Sequence, residues 1–254
     1  MKRAEFARSE DRVSNKRTES LRREMESLTE EERGLVVSYL ARKLGLLHPL
    51  EQEWGTDTGA ILTATQRAPK RLQRNILQSV MKQVFERDAL TDVTRFGWEA
   101  LPLPPGDPPY DFLLRRRERQ ARIQLKLQRI ESGQPKRYRP RVYPDPLYVV
   151  EVQRTRSGTR GGEATRPYRF GDFDILAVCM QPVTKRWHDF RYTVEKWLLP
   201  RKLDNNLIEI FEPVSLAPNE LWTDRLEVCL EWFLARRRVR TFSDVYRAET
   251  ESPR

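Results

Sequence analysis

A carboxylate, an amide and a lysine lie close together in two neighbouring stretches of the chain, YDFLLR at 110–115 and ARIQLKLQR at 121–129. The second stretch alternates apolar and polar residues. This is typical of a strand, because successive side chains of a strand point to opposite faces. If the two stretches pair as a hairpin, Asp111 lies near Gln124 and Lys126. A row of polar side chains then lines one face of an otherwise aliphatic strand.

These three residue types are the parts needed to hydrolyse a phosphodiester bond. An acid and nearby oxygens hold a hard cation such as Mg²⁺, which often uses only one or two carboxylates. The cation polarises a phosphoryl oxygen and helps to generate hydroxide. A lysine stabilises the developing negative charge or orients the attacking water. We therefore interpret the polar row as the edge of an active site.

Other interpretations of these residues stay open. Asp111 follows the proline-rich DPPY and could simply begin a strand after a turn. Lys126 could be a solvated lysine on an edge strand, which is a common protection against aggregation. A rival set of Asp145, Glu151 and Gln153 lies in PDPLYVVEVQ, although five residues barely allow a hairpin between its two acids. In the first interpretation, Glu151 flanks the site as a supporting residue.

The basic charge of the chain is concentrated around the same stretches. The formal net charge is +10, and residues 111–170 alone hold 16 lysines and arginines against six acids. This excess indicates a polyanionic partner, most simply nucleic acid, whereas the alternative is a solubilising basic face. Two Arg-rich loops, at 130–146 and 156–171, would contact the phosphates of DNA. The arginines predicted to bind DNA are Arg137, Arg139, Arg141, Arg154, Arg156, Arg160, Arg166 and Arg169.

The elements that would position these residues follow from caps and periodicity. Thr29 and Glu32 form a capping-box pattern at the start of a helix, and a second helix is predicted over Lys70–Asp88. Further strands are predicted at Tyr148–Arg154, Phe173–Met180, Tyr192–Leu199 and Leu207–Phe211, followed by an amphipathic helix at Trp222–Arg238. Helices, then a strand cluster, then a helix predict an α+β or mixed α/β fold.

This ordered set of elements resembles the PD-(D/E)XK nuclease superfamily, in the variant with Gln in place of the acidic residue. PYD at 109–111 and IQLK at 123–126 match its short motif. YRFGDFDILAV at 168–178 and WLLP at 197–200 resemble later strands of the branch that contains restriction and homing-type endonucleases. The resemblance covers about 108–200. It implies a restriction-endonuclease-like core, with a mixed central sheet flanked by helices.

The resemblance also implies roles for individual residues. Asp111 would be the metal-binding acid, and Gln124 would occupy the (D/E) position. The backbone carbonyl of Leu125 would add a ligand, and Lys126 would be the catalytic lysine. The cofactor would be Mg²⁺ (or Mn²⁺). A helix often contributes a supporting acid in this superfamily, for which Glu86 is the candidate.

The function implied is a metal-dependent DNA endonuclease, most simply a type II-like restriction enzyme. Alternatives are a homing-type or repair nuclease of the same fold, a catalytically inactive DNA-binding protein, and a structural protein with a basic face. Double-stranded DNA would be the substrate. A homodimer would match a two-fold DNA site, and a cognate DNA methyltransferase is a partner that the restriction role allows.

The remaining expectations concern organisation and location. We expect a flexible charged arm at 1–28, a helical region packing on the core at 29–95, the nuclease core at 96–240 and a tail at 241–254. The N-terminus lacks an apolar signal segment, and no stretch approaches a membrane span. The two cysteines, Cys179 and Cys229, lie in apolar runs and are expected to be reduced. These features favour a cytoplasmic protein.

Overall fold

The computed structural model of the chain describes residues 18–44, 48–138, 147–154, 159–160, 163–164 and 167–235. The chain divides into two compact units, one ending at Gln73 and the other beginning at Arg74. The helices are α1 (18–27), α2 (Glu30–Lys43), α3 (Pro49–Trp54), α4 (Thr58–Arg67), α5 (Lys70–Phe85), α6 (Thr91–Thr94), α7 (Gln181–Thr184) and α8 (Leu226–Leu234). No helix in these ranges is long and apolar enough to span a membrane.

The secondary structure described in the first unit consists of helices joined by short turns. The predicted start of α2 is confirmed, because the Thr29 hydroxyl accepts from the Glu32 backbone N–H (3.3 Å) and the Glu32 carboxylate accepts from the Thr29 N–H (2.9 Å). These two hydrogen bonds form a complete capping box. The apolar side chains of α2 are nevertheless exposed, including Leu35 and Tyr39. Helix α5 begins in this unit and continues into the second.

The second unit contains all the described strands. In chain order they are β1 (Glu99–Leu101), β2 (Phe112–Arg116), β3 (Arg119–Leu127), β4 (Ile130–Glu131), β5 (Gln134–Pro135), β6 (Leu147–Glu151), β7 (Thr159–Arg160), β8 (Glu163–Ala164), β9 (Ile175–Cys179), β10 (Phe190–Val194) and β11 (Phe211–Ser215). Five form a sheet in the order β1-β2-β3-β9-β10, in which only the β3–β9 pair is parallel. The pairs β6–β11, β4–β5 and β7–β8 are antiparallel.

Strand β9 is an interior strand of the five-stranded sheet. All five of its residues are buried, and it pairs with β3 on one edge and β10 on the other. A continuous apolar run is the expected sequence of a strand covered on both faces. The predicted hairpin is also confirmed, because β2 pairs with β3 so that Phe112 lies opposite Ile123. The predicted mixed fold class is therefore confirmed.

Helices flank this sheet through aromatic contacts. Phe85, at the end of α5, is fully buried. Its ring centre lies 5.1 Å from that of Phe112, 5.3 Å from Phe190 and 6.4 Å from Tyr192. Helix α8 buries its apolar side chains in the same core. The last turns of α5 are thereby held close to the start of β2, which matters for the site described below.

The structure corrects three predicted element bounds. The strand predicted at Leu207–Phe211 is observed further along the chain, as β11 at Phe211–Ser215. Glu212 does not end this strand, because it is buried and its carboxylate accepts the Leu199 N–H (3.0 Å). The strand predicted at Tyr192–Leu199 ends at Val194, where a 3-10 turn begins. The last helix begins at Leu226 rather than Trp222, because Thr223 pairs with Tyr192 through two backbone hydrogen bonds.

Candidate active site

The candidate site lies where β3 runs past the first residue of β2. The β2–β3 register ends at Phe112 opposite Ile123, and the Asp111 N–H makes one more backbone hydrogen bond, to the Ile123 carbonyl (2.8 Å). Pro108 and Pro109, further back along the chain, have no backbone N–H groups to extend the ladder. The backbone N–H of Leu125, two residues further along β3, donates instead to the Asp111 carboxylate Oδ2 (2.9 Å). A side chain thus satisfies the strand edge that β2 leaves open.

Three groups predicted to act together converge at this edge. The Gln124 amide Nε2 donates to Asp111 Oδ2 (2.6 Å) and to the backbone carbonyl of Leu125 (2.9 Å). Gln124 is 5% exposed, so its amide is fixed between these partners. The carboxylate, the amide and the carbonyl therefore share one small volume.

Lys126 lies beside this cluster and has its own partners. Its Nζ donates to the backbone carbonyl of Gln153 (2.8 Å) and the hydroxyl of Tyr168 (3.4 Å), and it lies 5.0 Å from the centre of the Tyr168 ring. Burial lowers the pKa of Lys126 to about 8, against the opposing effect of the negative charges of Asp111 and Glu151. The ammonium is thus desolvated and held close to Asp111 without an ion pair to it.

A second lysine, which the sequence analysis missed, completes the cluster. Lys82 Nζ lies 2.5 Å from Asp111 Oδ1. Lys82 follows Met81 on α5 and comes three residues before Phe85, and both of these apolar side chains are buried. Residues one position from a buried stripe lie at its border. The periodicity of α5 could have placed Lys82 at such a border. It could not have shown which strand Lys82 would face.

The predicted supporting acid, Glu86, lies elsewhere on the same segment. It is exposed in a π-helical turn at Glu86–Leu90. It has no hydrogen-bond or ion-pair partner among the residues that the structure describes. The structure therefore brings Lys82, one helical turn earlier, to Asp111 instead of Glu86.

The rival acidic set is only partly described. The Glu151 carboxylate accepts hydrogen bonds from the guanidinium of Arg129 and the amide of Gln153. Its charge also raises the pKa of Lys126, so Glu151 lies at the flank of the site, while Asp145 falls outside the described residues. Glu151 is thus engaged by neighbours rather than by the predicted metal cluster.

The structure describes only some of the arginines that are predicted to bind DNA. Arg137 is exposed, and Arg154 Nη2 donates to the backbone carbonyl of Asp107 (2.8 Å). The positive charge of Arg154 lowers the pKa of Lys126, which places it beside the candidate site. The Arg169 backbone N–H donates to Asp172 (2.9 Å). Outside the described residues lie Arg139, Arg141, Arg156 and Arg166, and only the backbone of Arg160 is described.

A partly buried network fixes the segment that carries Tyr168. The Arg122 guanidinium donates from Nε and Nη2 to the two oxygens of Asp174 (2.9 Å each) and from Nη1 to the Gly171 carbonyl (2.7 Å). The buried Glu195 carboxylate accepts the Gly171 N–H. Burial raises the pKa of Glu195 to about 7. The turn after Tyr168 is therefore held through both the carbonyl and the N–H of Gly171.

The donor chemistry of the cluster suits a hard cation. Within the described residues, no group of three or more His, Cys, Asp or Glu side chains could hold a metal ion, so Asp111 would be accompanied by neutral oxygens. Carboxylate, amide and carbonyl oxygens are ligands that Mg²⁺ accepts. Asp111 Oδ1 already attracts one cation, the Lys82 ammonium. With the Gln124 amide turned so that its oxygen faces Asp111, these residues would supply oxygen ligands to a single divalent ion.

Comparisons with known proteins add little to this geometry. No protein-family model and no curated protein matches the chain. One solved structure, described as a bacterial homing endonuclease, I-Ssp6803I, is similar at 18% sequence identity and a TM-score of 0.30. The similarity covers 56% of this chain and 79% of that chain. This TM-score is too low to establish a shared fold.

Proposed function

We propose that the protein is a metal-dependent DNA endonuclease whose active site is the open edge of the β2–β3 hairpin. One observation carries the proposal: the Asp111 carboxylate, the Gln124 amide and the Leu125 carbonyl converge beside two lysine ammonium groups. Oxygen donors for a cation next to positive charges suit a reaction at a phosphate. The arrangement agrees with the PD-(D/E)XK pattern that the sequence resembles.

Mg²⁺ or Mn²⁺ would be held by Asp111, the oxygen of the Gln124 amide and the Leu125 carbonyl. Gln124 presents its Nε2 to Asp111 and to the Leu125 carbonyl in this structure. Its amide would therefore turn over to present its oxygen to the ion. When bound, such an ion polarises a phosphoryl oxygen and lowers the pKa of a water molecule.

Lys126 is suited to stabilise the negative charge that develops on the phosphate. The Gln153 carbonyl and Tyr168 fix the position of its ammonium. Because its surroundings are poorly hydrated, the charge acts through a low dielectric constant and is stronger than in water. With a pKa of about 8, Lys126 still holds its proton at neutral pH.

Double-stranded DNA is the proposed substrate because of the basic excess around this edge. The arginines of the two loops would contact phosphates, which supply most of the affinity of such proteins. A type II-like restriction role, acting as a homodimer on a symmetric site, is the leading form. A homing-type or repair nuclease would use the same chemistry.

Cleavage of plasmid and phage DNA with Mg²⁺ or Mn²⁺ tests the proposal. We expect the wild type to cleave, and Lys126→Ala and Asp111→Asn to bind DNA without cleaving it. Lys196→Ala and Asp92→Asn remove the same charges at exposed positions and should cleave normally. Cleavage by Lys126→Ala would refute the assignment of the site. Discrete fragments would favour a restriction or homing role, and a smear would favour a repair or non-specific nuclease.

A catalytically inactive DNA-binding protein is the second candidate. It is favoured by the ion pair that already neutralises Asp111, the one carboxylate of the proposed ligand cluster. This candidate predicts salt-sensitive DNA binding by the wild type with no cleavage under any metal. The same plasmid assay, run beside a binding assay, separates the two functions.

A further inference from the structure

The Asp111 carboxylate is bound differently at its two oxygens. Oδ2 is held by the Leu125 N–H (2.9 Å) and the Gln124 amide (2.6 Å), both of which belong to β3. Oδ1 is bound by the ammonium of Lys82, which belongs to α5 (2.5 Å). The Leu125 N–H fixes Oδ2 to the backbone of the sheet, whereas the contact of Oδ1 depends on one long, flexible side chain.

The Lys82 contact is the one that can be exchanged. The Lys82 side chain is 48% exposed, whereas that of Asp111 is 15% exposed. An ion pair with an exposed lysine contributes little to stability, because water solvates the free ammonium well. The four-carbon stem of lysine also lets the charge move to another partner. Asp111 can therefore keep its position on β3 while Lys82 leaves.

We propose that Lys82 is a resident counter-ion of Asp111, which a divalent metal displaces and which then binds a phosphate of the DNA. The proposal rests on the proposed function for both the metal and the DNA. Two cations compete for one carboxylate oxygen, so the ammonium and the metal exclude each other at Oδ1. The displaced ammonium stays at the same edge of the sheet, where a phosphate would offer it a new acceptor.

This role predicts two effects of opposite sign. Removal of the Lys82 charge should strengthen metal binding, because the competitor and its repulsion of the metal are both removed. The same removal should weaken DNA binding, but mainly when metal is bound and Lys82 is free. A purely structural role for Lys82 would instead weaken both or change neither.

The first measurement is Mn²⁺ binding in the absence of DNA, followed by the electron paramagnetic resonance signal of the free ion. We expect Lys82→Gln to tighten Mn²⁺ binding by about two- to fivefold, from the size of an exposed ion pair and its conversion to affinity. Lys82→Arg keeps the charge and should resemble the wild type. Lys70→Gln is the matched control, since it removes a lysine charge twelve residues away on α5, about 18 Å along the helix.

Asp111→Asn separates failure of this inference from failure of the proposed function. If Asp111→Asn does not weaken Mn²⁺ binding, the proposed metal site and the proposed role of Lys82 are both wrong. If Asp111→Asn weakens binding but Lys82→Gln leaves the affinity unchanged, only the role of Lys82 is overturned.

The second measurement is DNA binding by Lys82→Gln in a Lys126→Ala background, which prevents cleavage. With EDTA, Lys82→Gln should change the affinity less than twofold, because Lys82 is engaged by Asp111. With saturating Mn²⁺, we expect a loss of about two- to fivefold, the same size as the exposed ion pair. Equal losses in the two conditions would overturn the exchange of partners.

Discussion

Lys126→Met is predicted to stabilise the protein while it abolishes cleavage. Burial lowers the pKa of Lys126 from 10.5 to about 8, and this difference corresponds to about 3 kcal/mol of unfavourable free energy for the charged form. At pH 7 both the folded and the unfolded chain hold the proton, so the whole penalty acts on folding. Methionine has a similar length and no charge. The gain in the free energy of unfolding is reduced by about 1 kcal/mol, because the Gln153 carbonyl loses its hydrogen-bond donor. A net stabilisation of about 2 kcal/mol remains.

The pH dependence of this difference identifies its cause. Between pH 8 and 10.5 the folded wild type has released the Lys126 proton, whereas the unfolded chain still holds it. The unfolded state binds more protons there, so the free energy of unfolding of the wild type rises with pH. By pH 10 the wild type regains about 2.5 kcal/mol in this way, so the advantage of Lys126→Met should fall to about zero. Other groups titrate in both proteins and cancel.

Urea denaturation of the two proteins at pH 7, 8, 9 and 10 measures the difference. Lys196→Met, at an exposed position, should show no comparable stabilisation. A Lys126→Met protein that is less stable than the wild type at pH 7, or a difference that does not change with pH, would refute the burial argument. Cleavage by the stabilised variant would refute the functional one. Stability gained at the expense of activity is the expected signature of a charge retained for function.

Three further predictions address the supporting structure. Glu195→Gln should leave the free energy of unfolding almost unchanged near pH 4.5 and raise it by up to about 3 kcal/mol above pH 7. The reason is that the folded wild type retains a proton up to about pH 7 that the unfolded chain has already lost. A difference in urea denaturation that does not change with pH would contradict this. Replacing Arg137, Arg139 and Arg141 by Gln should reduce the slope of log K against log salt by about 0.9 for each phosphate that the protein no longer neutralises, and an unchanged slope would place this loop away from the DNA. Phe85→Ala should destabilise the second unit by about 3–5 kcal/mol in thermal or urea unfolding, because it leaves a cavity against Phe112 and two other rings. A loss below about 1 kcal/mol would show that neighbouring side chains refill this cavity.

The sequence predicted the hairpin because its signals are local. Alternating residues in β3 and a short turn define which side chains share a face, and this placed Asp111 beside Gln124. The apolar run of β9 likewise indicated a central strand. Where a strand was misplaced, a buried polar residue was the cause. Glu212 interrupts an apolar pattern, yet it is buried because a distant backbone N–H, that of Leu199, satisfies it.

The partners that the sequence did not reveal come from interactions across long separations. Lys82 meets Asp111 because Phe85 docks α5 on β2, and no local pattern predicts how a helix is docked. The Gln153 carbonyl and Tyr168 hold Lys126 because the residues after β6 and the segment before β9 reach its side chain. Periodicity gives the face on which a residue lies, whereas tertiary packing decides which residue from elsewhere meets it.

The choice of substitution at Asp111 follows from its two tasks. As a hydrogen-bond acceptor it satisfies the N–H of Leu125, which is 2% exposed and lies beyond the end of the β2–β3 pairing. As a charge it attracts Lys82 and, in the proposed function, a metal ion. Asp111→Ala removes both, and the unsatisfied N–H alone should cost about 1–3 kcal/mol. Lost cleavage in that variant would therefore not distinguish a damaged sheet edge from a damaged metal site.

Asp111→Asn separates the two tasks, because its amide oxygen can still accept from Leu125 while the negative charge is gone. We expect this variant to unfold within about 1 kcal/mol of the wild type, the size of one exposed ion pair, and to lose metal-dependent cleavage. A stable Asp111→Asn protein that still cleaves DNA would mean that Asp111 serves only the strand edge. A stable protein that no longer cleaves would mean that the residue closing the sheet edge also supplies the charge for catalysis.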